Sequence, residues 1–491
     1  MRVFDGVESR SPIKDRPHPN PLPAYREREP EGSRSSRRRG TIYILALGII
    51  VVLSGMLLVF AQNMATESIA SANRTAYAKA DAIEQGAEQW VLAQCDTYPA
   101  DALTITQTPA EALPVGDGYF WVLCPDQESD QTYMAGIVDE SGKLNINKAT
   151  SAQLQTLPGV EEDVGDSIVD WASTTTTASN SGAESDYYEQ LQEPYEAKNA
   201  PFESVEELNL IEDVTPDLLF GYDANRNGVI EDAELSAAGD VTAFENANGN
   251  SRGIFDWLTA YSVEPNTATD GTKRVNVNTN PTTALTKLLT KDISASRSAA
   301  IMRLINPLVR RTPGRAFPNL GAFYLASRMT PTEFGEVYDY ITASSATTLT
   351  GLINVNTAPL EVLECLPGLT EADAQTLIAS RSTSNNSVGI GWVFTALSSS
   401  KAAAISGAIT ARSFQYSADI VAVSGDGRSF KRVRIVVDST TPPSKVIYRQ
   451  DLTSYGWPLA PGIREQMRAG HPPPTGVYAS PANDLVNGLS Q

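Results

Sequence analysis

Thr41 to Ala61 is a run of 21 residues without one charged side chain, and Arg37, Arg38, Arg39 and Gly40 stand directly before it. At about 1.5 Å per residue, a helix of that length just crosses a hydrocarbon core about 30 Å thick. The arginines are costly to move across, so they stay on the cytoplasmic side and everything after Ala61 faces the other. A secretory signal has a shorter apolar core, with a small-x-small cleavage motif behind it. This run is longer than that, so the helix is expected to survive in the mature chain.

The remaining composition narrows the function. Residues 1–40 hold ten Lys/Arg against six Asp/Glu, whereas residues 41–491 hold 28 against 52, a net of −24. An acidic exported body repels a phosphate backbone, so no nucleic-acid partner is expected. It suits cations. The only histidines, His18 and His471, lie in Pro-rich terminal segments. The body therefore lacks Ser-His-Asp, Cys-His and His-metal chemistry. Carboxylate pairs such as Glu206-Glu207 fall beside hydrophobic helix positions and read as solvated faces, so no enzyme activity is expected. Cys95 and Cys124 either pair in an oxidising compartment or stand as separate thiols with Cys365.

Residues 1–40 are Pro-, Arg- and Ser-rich without periodicity, a disordered leader. From Thr41 to Gln94 no proline occurs, and beyond Ala61 the residues Ile69, Ala72, Ala76, Ala80, Ile83, Ala87 and Trp90 recur at helical spacing. One long helix is predicted, apolar all round in its first half and amphipathic in its second. Strands are predicted at Tyr119–Cys124 and Tyr133–Val138, followed by a hairpin of Phe414–Ser424 and Arg428–Asp438 around Gly425-Asp426-Gly427. Val446–Arg449 adds a last strand. The composition after it predicts a disordered tail over 456–491.

A repeat lies between these strands. Leu144-Asn145-Ile146-Asn147-Lys148, Val275-Asn276-Val277-Asn278-Thr279 and Ile353-Asn354-Val355-Asn356-Thr357 share an apolar-Asn-apolar-Asn core, with a leucine seven residues after the second Asn. The apolar pair anchors a short strand, the second Asn or the following Thr is expected to cap a helix, and the leucine begins its buried face. Leu157-Pro158-Gly159 and Leu366-Pro367-Gly368 then turn the chain into second helices over 162–171 and 371–381. Glu161-Glu162 and Glu371 beside these hairpins repel phosphate, so helix-hairpin-helix units here are structural. Gly182 to Tyr188 sets carboxylates beside paired tyrosines, and this reads equally as a cation site or as a turn over an aromatic anchor.

Asp223-Ala224-Asn225-Arg226-Asn227-Gly228-Val229-Ile230-Glu231-Asp232-Ala233-Glu234 matches the calcium-loop template. Oxygen ligands stand at positions one, three and five, Gly at six, an apolar residue at eight and Glu at twelve. The expected Ca²⁺ ligands are Asp223, Asn225, Asn227, the Val229 carbonyl and Glu234, with Glu231 direct or through water.

Taken together, these motifs resemble the K-type minor pseudopilin of bacterial type II secretion systems. The resemblance runs over about residues 37–455. It is carried by the Arg-rich leader ending at Gly40 and by Leu45, where most pilins have Glu. It is carried further by Lys143 to Asn147, Gly182 to Tyr188, Pro194 to Leu208 and Ile353 to Pro359. It implies an α+β fold: a pilin helix with its transmembrane part at 41–61 and a pilin-like domain formed by 62–143 and 411–455. A large helical domain of helix-hairpin-helix or SAM-like type is inserted at 144–410. It implies a single-pass inner-membrane protein with its body in the periplasm, cleaved by prepilin peptidase after Gly40. It implies structural Ca²⁺ and a place at the pseudopilus tip with I- and J-type minor pseudopilins. The alternative function is a membrane-anchored helix-hairpin-helix DNA receptor.

Overall fold

The structure, a computed structural model, describes residues 39–474 except 128, 131, 239–250 and 382–388. The chain forms two units, residues 1–69 and 70–491. In the first, the helix Arg39–Thr97 begins, and Ile42 to Phe60 are all exposed. This is the one helix among the described residues long and apolar enough to cross a membrane. The 1–38 leader lies outside the described residues.

In the second unit, seven antiparallel strands make one sheet: β1 Leu113–Val115, β2 Gly118–Pro125, β3 Tyr133–Ala135, β4 Val138–Asp139, β5 Gln415–Val423, β6 Phe430–Asp438 and β7 Lys445–Asp451. The main path is β1-β2-β5-β6-β7. β2 pairs with Asp419–Val423, and β4 takes over along Tyr416–Ser417, so the predicted 133–138 strand is split in two at Gly136-Ile137. Side-chain alternation gives the sheet two apolar faces. One, with Phe120, Val122, Ile420 and Ile435, packs on Ile83, Ala87, Val91 and Cys95 of the long helix. The other, with Trp121, Leu123, Val421 and Val423, is covered by Val229, Leu459, Ile463 and Met467.

That second cover corrects the expected tail at 456–491. Residues 461–468 form a helix with Pro461 in its first turn and with Ile463 and Met467 buried one turn apart. Trp457 meets Trp121 edge-on at 6.3 Å, and the Arg464 guanidinium lies over Phe430 and Trp457. Pro and Gly dominate the composition here, but two apolar residues at i and i+4 are enough to dock a short helix. Residues 475–491 lie outside the described residues. All three cysteines are free thiols, so Cys95 and Cys124 are not bridged. Burial pushes each thiol up to about 12.

Between β4 and β5 the chain forms a separate apolar core built from the Asn-x-Asn repeats. Each repeat strand pairs in parallel with a two-residue strand far along the chain: Leu144–Asn145 with Leu258–Thr259, Val275–Asn276 with Ile341–Thr342, and Ile353–Asn354 with Ile409–Thr410. Three modules result, each closed by an apolar-Thr-Ala segment. The first Asn of each pair turns back and accepts from the N–H of the second, at 2.8–3.0 Å. Its amide also reaches a serine in the closing segment: Ser262, Ser344 or Ser413.

The expected capping role of the second Asn is therefore wrong. Asn147 accepts from the Phe202 N–H at 2.7 Å and donates to the carbonyls of Phe202 and Ala260. Asn278 does the same to Phe317 and Ala343. The helix after the first repeat is capped instead by Thr150, in a capping box with Gln153. Thr357, after the third repeat, donates to Asp139. An amide can serve one donor and two acceptors at once, which a hydroxyl cannot, and this is why Asn stands at 147 and 278; in the third module the Asn356 amide nitrogen is buried without a partner. Asn278→Ala should strand the Phe317 N–H and two carbonyls in the core, costing about 3 kcal/mol. Urea unfolding of the detergent-solubilised chain measures it, and a loss below about 1 kcal/mol would mean the amide holds nothing.

Adjacent carboxylates join the modules to the sheet. Asp139 accepts from Asn354, Thr357 and Ser413 of the third module, and Glu140 from Thr259 of the first and Ser417 of β5.

Candidate metal centre

The calcium-like loop begins where a short helix, Pro216–Phe220, capped by Thr215, ends at Gly221. The loop then turns back on itself through its own oxygens. The Asp223 carboxylate accepts from the N–H groups of Asn227 (2.9 Å) and Gly228 (2.7 Å). Asn225 Oδ1 accepts from the Asn227 N–H, and Asn227 Oδ1 from the Val229 N–H. Glu234, in the helix Asp232–Ala238, accepts from the N–H groups of Asn225 and Glu231. Glu231 Oε1 accepts from the side-chain amides of Asn225 and Asn227. Gly228 has φ +78°, and a Cβ there would press on Pro125 at 3.0 Å, so only glycine makes this turn without strain.

Five of the six expected ligand residues, Asp223, Asn225, Asn227, Glu231 and Glu234, thus bring their side chains together in one loop. The sixth, Val229, buries its side chain against the sheet, which leaves only its backbone carbonyl for a ligand. Asp223 and Asn227 are buried. Among the described residues none of the three carboxylates is paired with Lys or Arg. Burial, with Asp256 and Glu234 adding to it, pushes the Asp223 carboxyl up to about 7, and burial raises Glu234 as well. One buried carboxylate, Asp223, with two half-buried ones on the same loop is the chemical condition that a hard cation relieves. Among the described residues no three His, Cys, Asp or Glu side chains stand close enough to hold a metal by themselves, so a cation here would also need carboxamide and carbonyl oxygens. Hard oxygen donors of that mixture suit Ca²⁺ and not a transition metal.

The supports of this loop come from elsewhere in the chain. Arg432 on β6 is fully buried, holds Asp419 with two hydrogen bonds (3.0 and 2.7 Å) and donates to the carbonyls of Asn225 and Arg226. The Asn227 amide donates to the Pro458 carbonyl at 3.0 Å. The Arg226 side chain lies over Phe220 and Tyr455. The loop therefore ties the helical insertion to the sheet and to the C-terminal segment. Sequence reading missed these supports. Their one signal is that three basic residues, Lys431, Arg432 and Arg434, stand inside a strand of the predicted hairpin.

In the other acidic cluster, Tyr188 is buried, stacks on Tyr195 at 5.2 Å and meets Trp171 edge-on at 5.3 Å, an aromatic anchor. Gly40 and Thr41 fall in the first turn of the long helix.

Two family models, both described as type II secretion system (T2SS) protein K, match residues 138–220 and 353–411. The first runs from β4 through the first module's helices to Phe220. The second covers the third module from its Asn-x-Asn strand to its closing strand. No curated protein matches the chain. A chain of the crystal structure of the GspK-GspI-GspJ complex from the enterotoxigenic Escherichia coli type 2 secretion system is similar at 11% identity and a TM-score of 0.34. The match covers 78% of this chain and 98% of that one.

Proposed function

We propose, since the chain belongs to the protein K family of the type II secretion system, that it caps the pseudopilus tip and helps initiate its assembly. Its role in that system is that of a minor pseudopilin. The observation that carries this reading is that the first Asn-x-Asn module as far as Phe220, and the third from its first strand to its closing strand, fall in protein K ranges, in a chain whose long helix is apolar enough to cross a membrane. On this reading the body stands in the periplasm, the role is structural and not catalytic, and I- and J-type minor pseudopilins are the partners. Calcium on the 223–234 loop fixes the insertion to the sheet.

Leu45 supplies the mechanism for the tip position. If cleavage follows Gly40, the new N-terminus at Thr41 is a positive charge in lipid, and a carboxylate of a neighbouring subunit neutralises it. In a pilin that carboxylate is the glutamate five residues into the mature helix. Leu45 offers no such partner, so no further subunit is stabilised above this one. N-terminal sequencing of the membrane-bound chain should read Thr41 first, and an intact leader or a cut after Ala61 would end the pilin reading. Affinity capture with I- and J-type pseudopilins should give a stable three-part complex and no retained duplex DNA. Salt-sensitive DNA capture without the two subunits would favour the DNA-receptor alternative.

A further inference from the structure

The second module differs from the rest of the chain in charge. Residues 271–332 contain ten Lys/Arg and a single acidic residue, Asp292, inside a body whose net charge is −24. Arg274 is buried with Glu264, and Arg297 is held by Glu333 at 2.7 Å. By contrast, Lys287, Arg303, Arg310, Arg311, Arg315 and Arg328 are exposed, and among the described residues none is paired with a carboxylate.

The helix Ala295–Arg311 presents much of this charge. Its Ile301, Met302, Ile305 and Val309 are buried in the core, which turns Arg303, Arg310 and Arg311 outward. Seven residues are close to two turns, so Arg303 and Arg310 lie nearly in line along one face. Leu304 and Leu308, one turn apart, stay 38% and 40% exposed beside them. Lys287 is exposed on the preceding helix, Thr283–Asp292, which touches this one through Thr286 and Thr290 against Ser298, and Arg315 is exposed in the turn that follows. This face lies outside both protein K ranges.

We propose that this face docks on the anionic phospholipid headgroups of the bilayer in which the chain's own helix is anchored. Guanidinium groups bind phosphate in a fork, and clustered basic residues are drawn to an anionic leaflet. Exposed leucines among the arginines fit a lipid interface, which accepts apolar side chains between headgroups; a nucleic-acid groove offers them nothing comparable. Anchoring also matters, because a tethered body meets the bilayer at high effective concentration. The rest of the body is acidic and is repelled by the same surface, so the contact orients the subunit by one face. Such a contact holds an unassembled subunit against its membrane and is given up when neighbouring subunits lift it away.

The test uses the full chain, reconstituted through its helix into phosphatidylcholine vesicles with or without a third of phosphatidylglycerol. The readout is the rate of trypsin cleavage after Arg310 and Arg311, relative to cleavage after exposed Lys148 in the first module. The anionic vesicles should slow cleavage about tenfold, and high salt should restore it. The double variant Lys287→Glu/Arg315→Glu keeps the cleavage sites and should lose the protection. Equal rates in the two vesicle types overturn the proposal, as does protection that survives in the double variant. So does equal protection in neutral vesicles by added duplex DNA or polyglutamate, which would make the face a general polyanion site.

Discussion

Calcium added to the chelated, detergent-solubilised chain should raise its melting temperature by about 5 °C, and Glu234→Ala should abolish the rise. The loop gathers Asp223, Glu231 and Glu234 around amide donors, with Asp223 buried. Without a cation these acids repel one another and have lost part of their hydration. A ligand that binds only the folded loop stabilises it by about 2.7 kcal/mol at a hundred times its dissociation constant. For a domain this large that corresponds to about 2 °C per kcal/mol. Glu234 closes the loop from the following helix and is half-exposed, so its truncation removes up to two ligand oxygens without opening the core. A calorimetric titration should lose its heat in the same variant. A melting temperature that ignores both calcium and chelator would leave the segment as a polar turn and nothing more.

How much of this was readable follows from the reach of each interaction. The long helix, β2, β5, β6 and β7 are set by alternation or helical spacing within each segment, and they stand within a few residues of their predicted bounds. The 223–234 loop was readable because the hydrogen bonds made within it connect residues at most nine apart. The Asn-x-Asn repeats were visible, but their role was not. Asn147 and Asn278 act on residues 39 to 113 positions away, and nothing local distinguishes such a bridge from a cap. A comparison of closing segments would have helped: Leu258-Thr259-Ala260, Ile341-Thr342-Ala343 and Ile409-Thr410-Ala411 are a second repeat, one per module. The Pro461–Arg468 helix was hidden because turn-forming residues surround it and the surface it covers is assembled from separate strands, Trp121 and Leu123 on one and Val421 and Val423 on another.

Arg432→Met should cost about 3–5 kcal/mol and weaken calcium binding about tenfold, although Arg432 belongs to neither the loop nor the insertion. The side chain is fully buried, and it satisfies the Asp419 carboxylate and two loop carbonyls at once. Methionine fills similar space but leaves Asp419 with only Arg434, at 3.3 Å, and leaves the carbonyls of Asn225 and Arg226 without their donor. A buried charge deprived of its partner costs far more than an absent pair, so Asp419→Leu/Arg432→Met should be less destabilised than Arg432→Met alone. Arg432→Lys, which keeps the charge but not the fork, should fall between wild type and Met. The calcium effect distinguishes this from simple loss of packing. Ile435→Ala should lower stability by cavity formation on the helix-facing side of the sheet yet leave calcium affinity unchanged. If Arg432→Met unfolds at the wild-type urea midpoint, or if Ile435→Ala weakens calcium equally, the arginine does not hold the loop to the sheet.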